Sequence, residues 1–339
     1  MASASRLPVA GRPLQGPSKG VSATVKVWSN TVRIPQLKLS EKSCPIVTDL
    51  DDGADLVRNF LLDGQGKTLV ITGAGVSTDS GIPDYRGDQG TYTRNPKHRP
   101  ILFHELASSE TFRKRYWARG FLGWPEMRKA KPNATHHILA ALTEKGLIKH
   151  IITQNVDGLH GIASASFEHT ILELHGSLQQ IECLECRSTA SRDDYQHRLV
   201  AHNPSWVELL GKNQKVNPDG DVELPDNLSY MDFDIPPCTT CASRKVKPQV
   251  VFFGENIRKS ISTQAEEMVR QSSSVLVVGS SLATYSSFRL IKLASILNLP
   301  IGILCKGQTR ADSLARWRIQ LGCTDVLQQV AKRLALEPL

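Results

Sequence analysis

The chain has 339 residues, 40% of them hydrophobic and 22% charged, a balance that excludes disordered and fibrous classes. No apolar run approaches the roughly 20 residues that a membrane-spanning helix needs. The formal charge of +8 is uneven: Arg6, Arg12, Lys19, Lys26, Arg33 and Lys38 stand in residues 1–40 without one acid, so all but two of the eight charges belong to that stretch, and the near-neutral remainder disfavours a nucleic-acid partner.

Taken in chain order, residues 1–44 read as a leader. It is basic, acid-free and Ser-rich, the composition of an organelle transit peptide or of a plain disordered tail. Pro8, Pro13 and Pro17 interrupt a long amphipathic helix, and the missing apolar core argues against secretion. From Leu50 to about Leu62 the apolar spacing predicts a helix, stopped by Gly64 and Gly66. TLVIT (Thr68–Thr72) reads as a buried strand. Gly73-Ala74-Gly75 follows it, but Thr78 stands where a dinucleotide-binding fingerprint would carry its third glycine. The basic, aromatic and Pro-containing region from Asp84 to about Pro132 predicts a helix over Glu110–Arg119. A second helix is expected over Ala134–Lys145. HIITQNVD, ILELHGS, QVVFFGE, SVLVVGSS and PIGILCKG each repeat the plan of TLVIT, a short β-branched run ending in polar residues. Such strands, mostly alternating with helical stretches, predict an α/β fold with a Rossmann-like parallel sheet. Ligands of such sheets sit at the carboxyl ends of the strands. Gly73 to Ser77, Gln154 to Asp157, His175, Glu255, Gly279 to Ser281 and Cys305 should therefore converge.

Of seven cysteines, four form two C-x-x-C pairs, Cys183/Cys186 and Cys238/Cys241, separated by 51 residues. Without a secretory signal, metal outranks disulfides. Four thiolates close a tetrahedral zinc site and leave no open position, so the expected role is structural. The intervening stretch predicts a helical piece near Trp206–Leu210 and a loop, NPDGDVELPDN. Its few arginines and lysines are balanced by acids, against a nucleic-acid-binding ribbon.

GAGVSTDSGIPDYRG, TQNVDGLH, LHGS, KPQVVFFGE and VVGSSLATYS together resemble the signatures of the sirtuins, NAD-dependent protein lysine deacylases. The likeness covers about residues 45–335. RYWARGFLGWP and the start of NPDGDV are similar to the class II branch, the mitochondrial sirtuin-four type. The resemblance implies a mitochondrial matrix leader over 1–44 and a catalytic domain over 45–335. Within that domain it implies Rossmann-like parts at about 45–85, 150–178 and 247–335, a helical insertion at 86–149 and a zinc module at 179–246. It also implies acyl-lysine protein substrates, a monomer and no membrane partner.

In the sirtuin reaction, nicotinamide leaves the ribose while the acyl-lysine oxygen attacks, and a ribose hydroxyl must then lose a proton. His175 is of the right type for that base, and the resemblance assigns it the role. The resemblance also implies that Gly73, Ala74, Gly75 and Ser77 approach the pyrophosphate, and that Asp84, Tyr85 and Arg86 form a mobile cofactor loop. It places Gln154 at the ribose, and Asn155, Val156 and Asp157 in the nicotinamide pocket, with Asn155 and Asp157 catalytic. Gly279, Ser280, Ser281, Cys305, Lys306, Gly307 and Cys323 fall on the adenosine side. Val251, Phe252, Gly254 and Glu255 would line the substrate. Cys305 replaces the family's usual Asn, and a thiol is a poor substitute for an amide. Gln249 is a second departure, without an explanation. Tyr116 and Arg119, at i and i+3 on one helix face, could read the carboxylate of a glutaryl-like acyl group, or serve as a surface face or an internal ion pair. Three rival functions stay open: a mono-ADP-ribosyltransferase in the same pocket, a dehydrogenase (disfavoured by Thr78 and LHGS), and a catalytically silent zinc-containing binding module.

Overall fold

The computed structural model describes Leu37 and residues 43–336, apart from 97, 165, 212–214 and 225–227. The leader expectation lies almost wholly outside these residues. Among the described residues, ten strands form two sheets: β1 (Ile46–Val47), β2 (Thr68–Thr72), β3 (Ile148–Thr153), β4 (Ile171–Glu173), β5 (Gly176–Cys183), β6 (Thr189–Ser191), β7 (Val246–Val250), β8 (Ser274–Val278), β9 (Ile301–Leu304) and β10 (Trp317–Ile319).

The larger sheet runs β1-β10-β9-β8-β2-β3-β4, and every pairing in it is parallel. Both faces are covered, which is why its central strands are apolar throughout. Val70, Ile151, Leu276, Val278 and Leu304 point to one face, where they meet the helices Leu50–Asp63, Ala134–Glu144 and Cys323–Arg333. Leu69, Ile71, Ile152, Val275, Val277 and Ile303 point to the other, against Lys259–Arg270 and Tyr285–Ile296. The chain leaves β2 for β3 on one side, and β8 lies on the other. The carboxyl ends of β2, β3 and β8 thus flank a switch point, where such sheets open a ligand crevice.

The smaller sheet is antiparallel, in the order β6-β5-β7. This corrects the reading of QVVFFGE as a strand of the parallel sheet. The strand starts earlier, at Val246, and lies at an edge, where Pro248 costs no ladder bond. The Lys247 ammonium is buried between Glu182 (3.1 Å) and Glu255 (3.2 Å).

Two helices also differ from expectation. Glu110–Lys129 runs ten residues past Arg119, through Pro125. A proline there removes the N–H that the Phe121 carbonyl would accept from. Gln196 Nε2 donates to that carbonyl instead, at 3.0 Å, and Arg192 donates to the Gly120 carbonyl at 3.0 Å. Both come from a helix the sequence reading missed, Arg192–His202, N-capped by Ser191. The expected piece near 206–210 is a single turn, Pro204–Val207. Trp117, Phe121, Tyr195, Leu199, Trp206, Phe233 and Val246 share one core, so the long helix packs with the small sheet. Ala134–Glu144, counted with the insertion in sequence, packs on the parallel sheet instead.

Candidate active site and cysteine module

After β2 the chain makes a 3-10 turn, Ala74–Val76, rather than entering a long helix. Its glycines are dictated by a neighbouring loop. A Cβ at Gly75 would lie 2.7 Å from the Gly279 carbonyl oxygen, and one at Gly73 2.8 Å from Ser280 Cβ. The Gly75 N–H donates to that Gly279 oxygen at 2.9 Å. Thr78 answers the missing third glycine: its hydroxyl donates to the Gly75 carbonyl at 3.1 Å and closes the turn.

Behind this turn lies a buried polar network. Ser77 is fully buried; its hydroxyl donates to Asp157 Oδ2 at 2.7 Å and accepts from Asn155 Nδ2 at 3.0 Å. Asp157 Oδ1 accepts from the Leu159 N–H. Burial raises the Asp157 carboxyl above the usual range, and these hydrogen bonds oppose that shift. Gln154 extends its amide across the sheet ends, to Ser280 Oγ (2.6 Å) and the Thr72 carbonyl (3.1 Å). Val156 and Phe252 both pack against a small apolar cluster that holds Ile82 and Leu159.

His175 follows β4. Its Nδ1 lies 3.1 Å from the Gln154 carbonyl, which can only accept. Nδ1 therefore carries the proton and Nε2 carries the lone pair. Ser286 Oγ lies 2.8 Å from Nε2 and is the donor there. Burial lowers the imidazole's pKa. The Val251 N–H donates to the His175 carbonyl at 2.8 Å, so the expected substrate segment is pinned to the histidine. Farther along that segment, Glu255 accepts from the Phe252 N–H and pairs with Lys247, and Gly254 takes a φ of 83°.

The remaining expected residues have contacts of their own. Asp84 accepts from the Gly87 N–H, Tyr85 packs on Tyr92, and Arg86 lies over the Tyr92 ring at 5.2 Å. The Ser281 carbonyl accepts from the Arg310 N–H. Cys305, Lys306 and Gly307 leave the end of β9. The buried Arg318 donates to the Gly307 carbonyl at 3.2 Å, and burial pushes the Cys305 thiol up to about 11. Cys323 starts the last helix, with its sulfur 3.9 Å from the Leu304 carbonyl. Tyr116 packs edge-on against Phe252 at 5.3 Å. Arg119 is buried and pairs with Asp221 (2.7 Å) and Glu223 (3.4 Å) of the NPDGDV loop, so it is an internal ion pair. Sequence reasoning passed over Ser286, although it stands in the quoted VVGSSLATYS. It also passed over His160, whose Nε2 meets Thr72 Oγ1 at 2.9 Å and whose pKa burial lowers to about 4.

The two C-x-x-C pairs form matching knuckles. Arg187 N–H donates to the Cys183 carbonyl and Ala242 N–H to that of Cys238, each at 3.0 Å. Arg187 and Ala242 both have positive φ, 62° and 59°. All four sulfurs lie within 4.8 Å of one another, with Cys183–Cys241 and Cys186–Cys238 at 3.6 Å. Four ligands about 2.3 Å from one zinc ion stand about 3.8 Å apart, so the donor set and its spacing fit structural zinc.

Together these features define a class: an α/β protein with a candidate ligand site at the switch point of its sheet and a four-cysteine module. Comparison with known proteins narrows it. The Sir2 family profile matches residues 73–286. The NAD-dependent protein deacylase SIR4 of Batrachochytrium dendrobatidis is 43% identical over 84% of this chain and 96% of its own length. The NAD-dependent protein deacylase Sirt4 of Drosophila melanogaster is 40% identical over 83% of this chain and 87% of its own. A solved structure titled "Sir2-p53 peptide-NAD+" superposes with a TM-score of 0.63 at 27% identity, over 84% of this chain and 98% of that one. The chain belongs to the Sir2 family.

Proposed function

We propose that the chain is an NAD-dependent protein lysine deacylase that yields free lysine, nicotinamide and an O-acyl-ADP-ribose. The observation that carries this reading is His175: a half-buried imidazole, proton on Nδ1 and lone pair on Nε2, beyond the end of β4 and pinned to the Val251 segment. A base held neutral and oriented suits removal of a proton from a hydroxyl. The Sir2 family membership and the deacylase relatives support the same reading.

NAD would contribute an electrophilic ribose carbon with nicotinamide as its leaving group. Gly73, Ala74, Gly75, Gly279, Ser280 and Ser281 would hold its phosphates and adenosine ribose, joined by Cys305, Lys306, Gly307 and Cys323. Asp84, Tyr85 and Arg86 would cover it. Gln154 would meet the other ribose, with Val156 beside it, and the Ser77–Asn155–Asp157 network would hold the carboxamide pocket in shape and dry. Val251, Phe252, Gly254 and Glu255 would take the acyl-lysine segment as an added strand. An acidic acyl group could use Tyr116 and Arg119 only by displacing Asp221 from the guanidinium. Cys183, Cys186, Cys238 and Cys241 would hold zinc as a structural ion. The acid-free leader supports delivery to the mitochondrial matrix and substrates among its proteins.

Mass spectrometry of an acyl-lysine protein incubated with NAD tests the reading. Loss of the acyl mass, with an O-acyl-ADP-ribose in solution, is the expected result. A gain of one ADP-ribose on the protein, with the acyl group retained, would replace this reading by mono-ADP-ribosylation.

A further inference from the structure

Among the described residues, the proton-accepting nitrogen of His175 has one hydrogen-bond partner, the Ser286 hydroxyl at 2.8 Å. Ser286 lies in the first turn of the 12-residue helix Tyr285–Ile296. That first turn therefore carries the hydroxyl that meets the ring. Burial depresses the ring's titration, and the hydrogen bond to the Gln154 carbonyl opposes that shift. Glu173, two residues upstream, bonds Ser177 and faces Asp157. Arg289, on the serine's helix, pairs with Glu266 at 3.0 Å. The Ser286 hydroxyl is therefore the local group that can set the state of Nε2.

We propose that Ser286 is a positioning residue for His175: its hydroxyl, donating to Nε2, fixes the ring in one tautomer and keeps it neutral and ready to accept a proton. The proposal rests on the reading of His175 as the base. The proton balance is simple. The serine hydroxyl turns about its χ1 bond to free the single Nε2 lone pair; a substrate O–H bond then breaks and an Nε2–H bond forms, with no change of oxidation state. Before transfer Ser286 donates to the lone pair; afterwards Nε2–H is a donor, and the serine oxygen has lone pairs to accept it. One side chain thereby serves both protonation states without moving its backbone. Because the resting bond stabilises the neutral ring, its loss should make the imidazole more basic.

The test compares S286A and S286T with the unmodified protein, using two readouts. Proton NMR follows the imidazole titration without NAD, with the His175 signal identified by its disappearance in H175Q. Initial rates give kcat/KM for NAD against pH. In S286A the imidazole should titrate higher and the acid limb of kcat/KM should move with it, by roughly half a pH unit or more, the effect of one neutral hydrogen bond. kcat should fall several-fold with KM for NAD little changed. S286T, which retains the hydroxyl, should restore both curves. An unmoved imidazole titration in S286A overturns the proposal, as does a uniform loss of rate with no shift in pH profile. A shifted titration with an unshifted acid limb supports the hydrogen bond and overturns instead the base assignment beneath it.

Discussion

Replacing Ser77 by alanine should destabilise the protein by about 3 kcal/mol near neutral pH, and the loss should shrink on acidification. The hydroxyl is fully buried; its two close partners are Asp157 at 2.7 Å and Asn155 at 3.0 Å, with His136 Nε2 farther off at 3.5 Å. A hydrogen bond to an ionised carboxylate contributes roughly 1.5–3 kcal/mol, and a buried donor left unpaired, here Asn155 Nδ2, costs about 1–3 kcal/mol. The two are parts of one network and do not add fully. Burial already raises the Asp157 carboxyl above its unfolded value, and the Ser77 bond opposes that shift, so S77A should raise it further. A raised carboxyl means that the folded state binds the extra proton first. As pH falls through the folded titration toward the unfolded one, stability therefore recovers, and it recovers more in the variant. Denaturant unfolding of both proteins, from neutral pH in steps down to the unfolded carboxylate range, measures this, and the difference between them cancels every group that S77A leaves alone. A difference below about 1 kcal/mol at neutral pH, or one constant across the series, would refute the network as the support of the pocket.

Three further outcomes follow from particular contacts. Cys183→Ser removes one donor from four clustered sulfurs, so the purified protein should lose its zinc and its Tm should fall; a soluble, fully stable variant without zinc by elemental analysis would exclude a structural site. Gln196→Ala unfastens the Phe121 carbonyl freed by Pro125 and should cost about 1–3 kcal/mol in chemical unfolding; adding Pro125→Ala, which returns the helical N–H, should recover part of that loss. Lys247→Met leaves Glu182 and Glu255 facing each other without their buried cation, so the Val251–Glu255 segment should loosen and KM for the acyl-peptide should rise more than KM for NAD. Equal effects on both constants would count against that link.

How far the sequence could be read depended on whether one local signal determined each feature. β2, β8 and β9 were legible because burial on both faces forces continuous apolar runs, and the parallel order then places Gly73, Gln154, His175 and Gly279 together. The knuckles were legible because sulfur spacing and metal geometry are tied. QVVFFGE misled because an apolar edge strand and an apolar central strand look alike; the distinguishing signals were Lys247 and Pro248. Arg192–His202 was missed because its buried face is made of Arg192, Tyr195, Gln196 and Leu199, too polar to show a helical stripe. The run of Glu110–Lys129 past Arg119 depends on a glutamine 71 residues after Pro125, which no local window contains. Arg119 acquired its meaning only when the NPDGDV loop brought Asp221 and Glu223 to it.

The most direct test of the central claim is nicotinamide release from NAD by the purified protein, measured with acetyl-, glutaryl-, lipoyl- and long-chain-acyl-lysine peptides and with unacylated peptide, for the unmodified chain and for His175→Ala. The account predicts release that depends on an acylated peptide and is lost in His175→Ala while Tm and zinc content hold. Release that persists undiminished in a folded His175→Ala protein would contradict it.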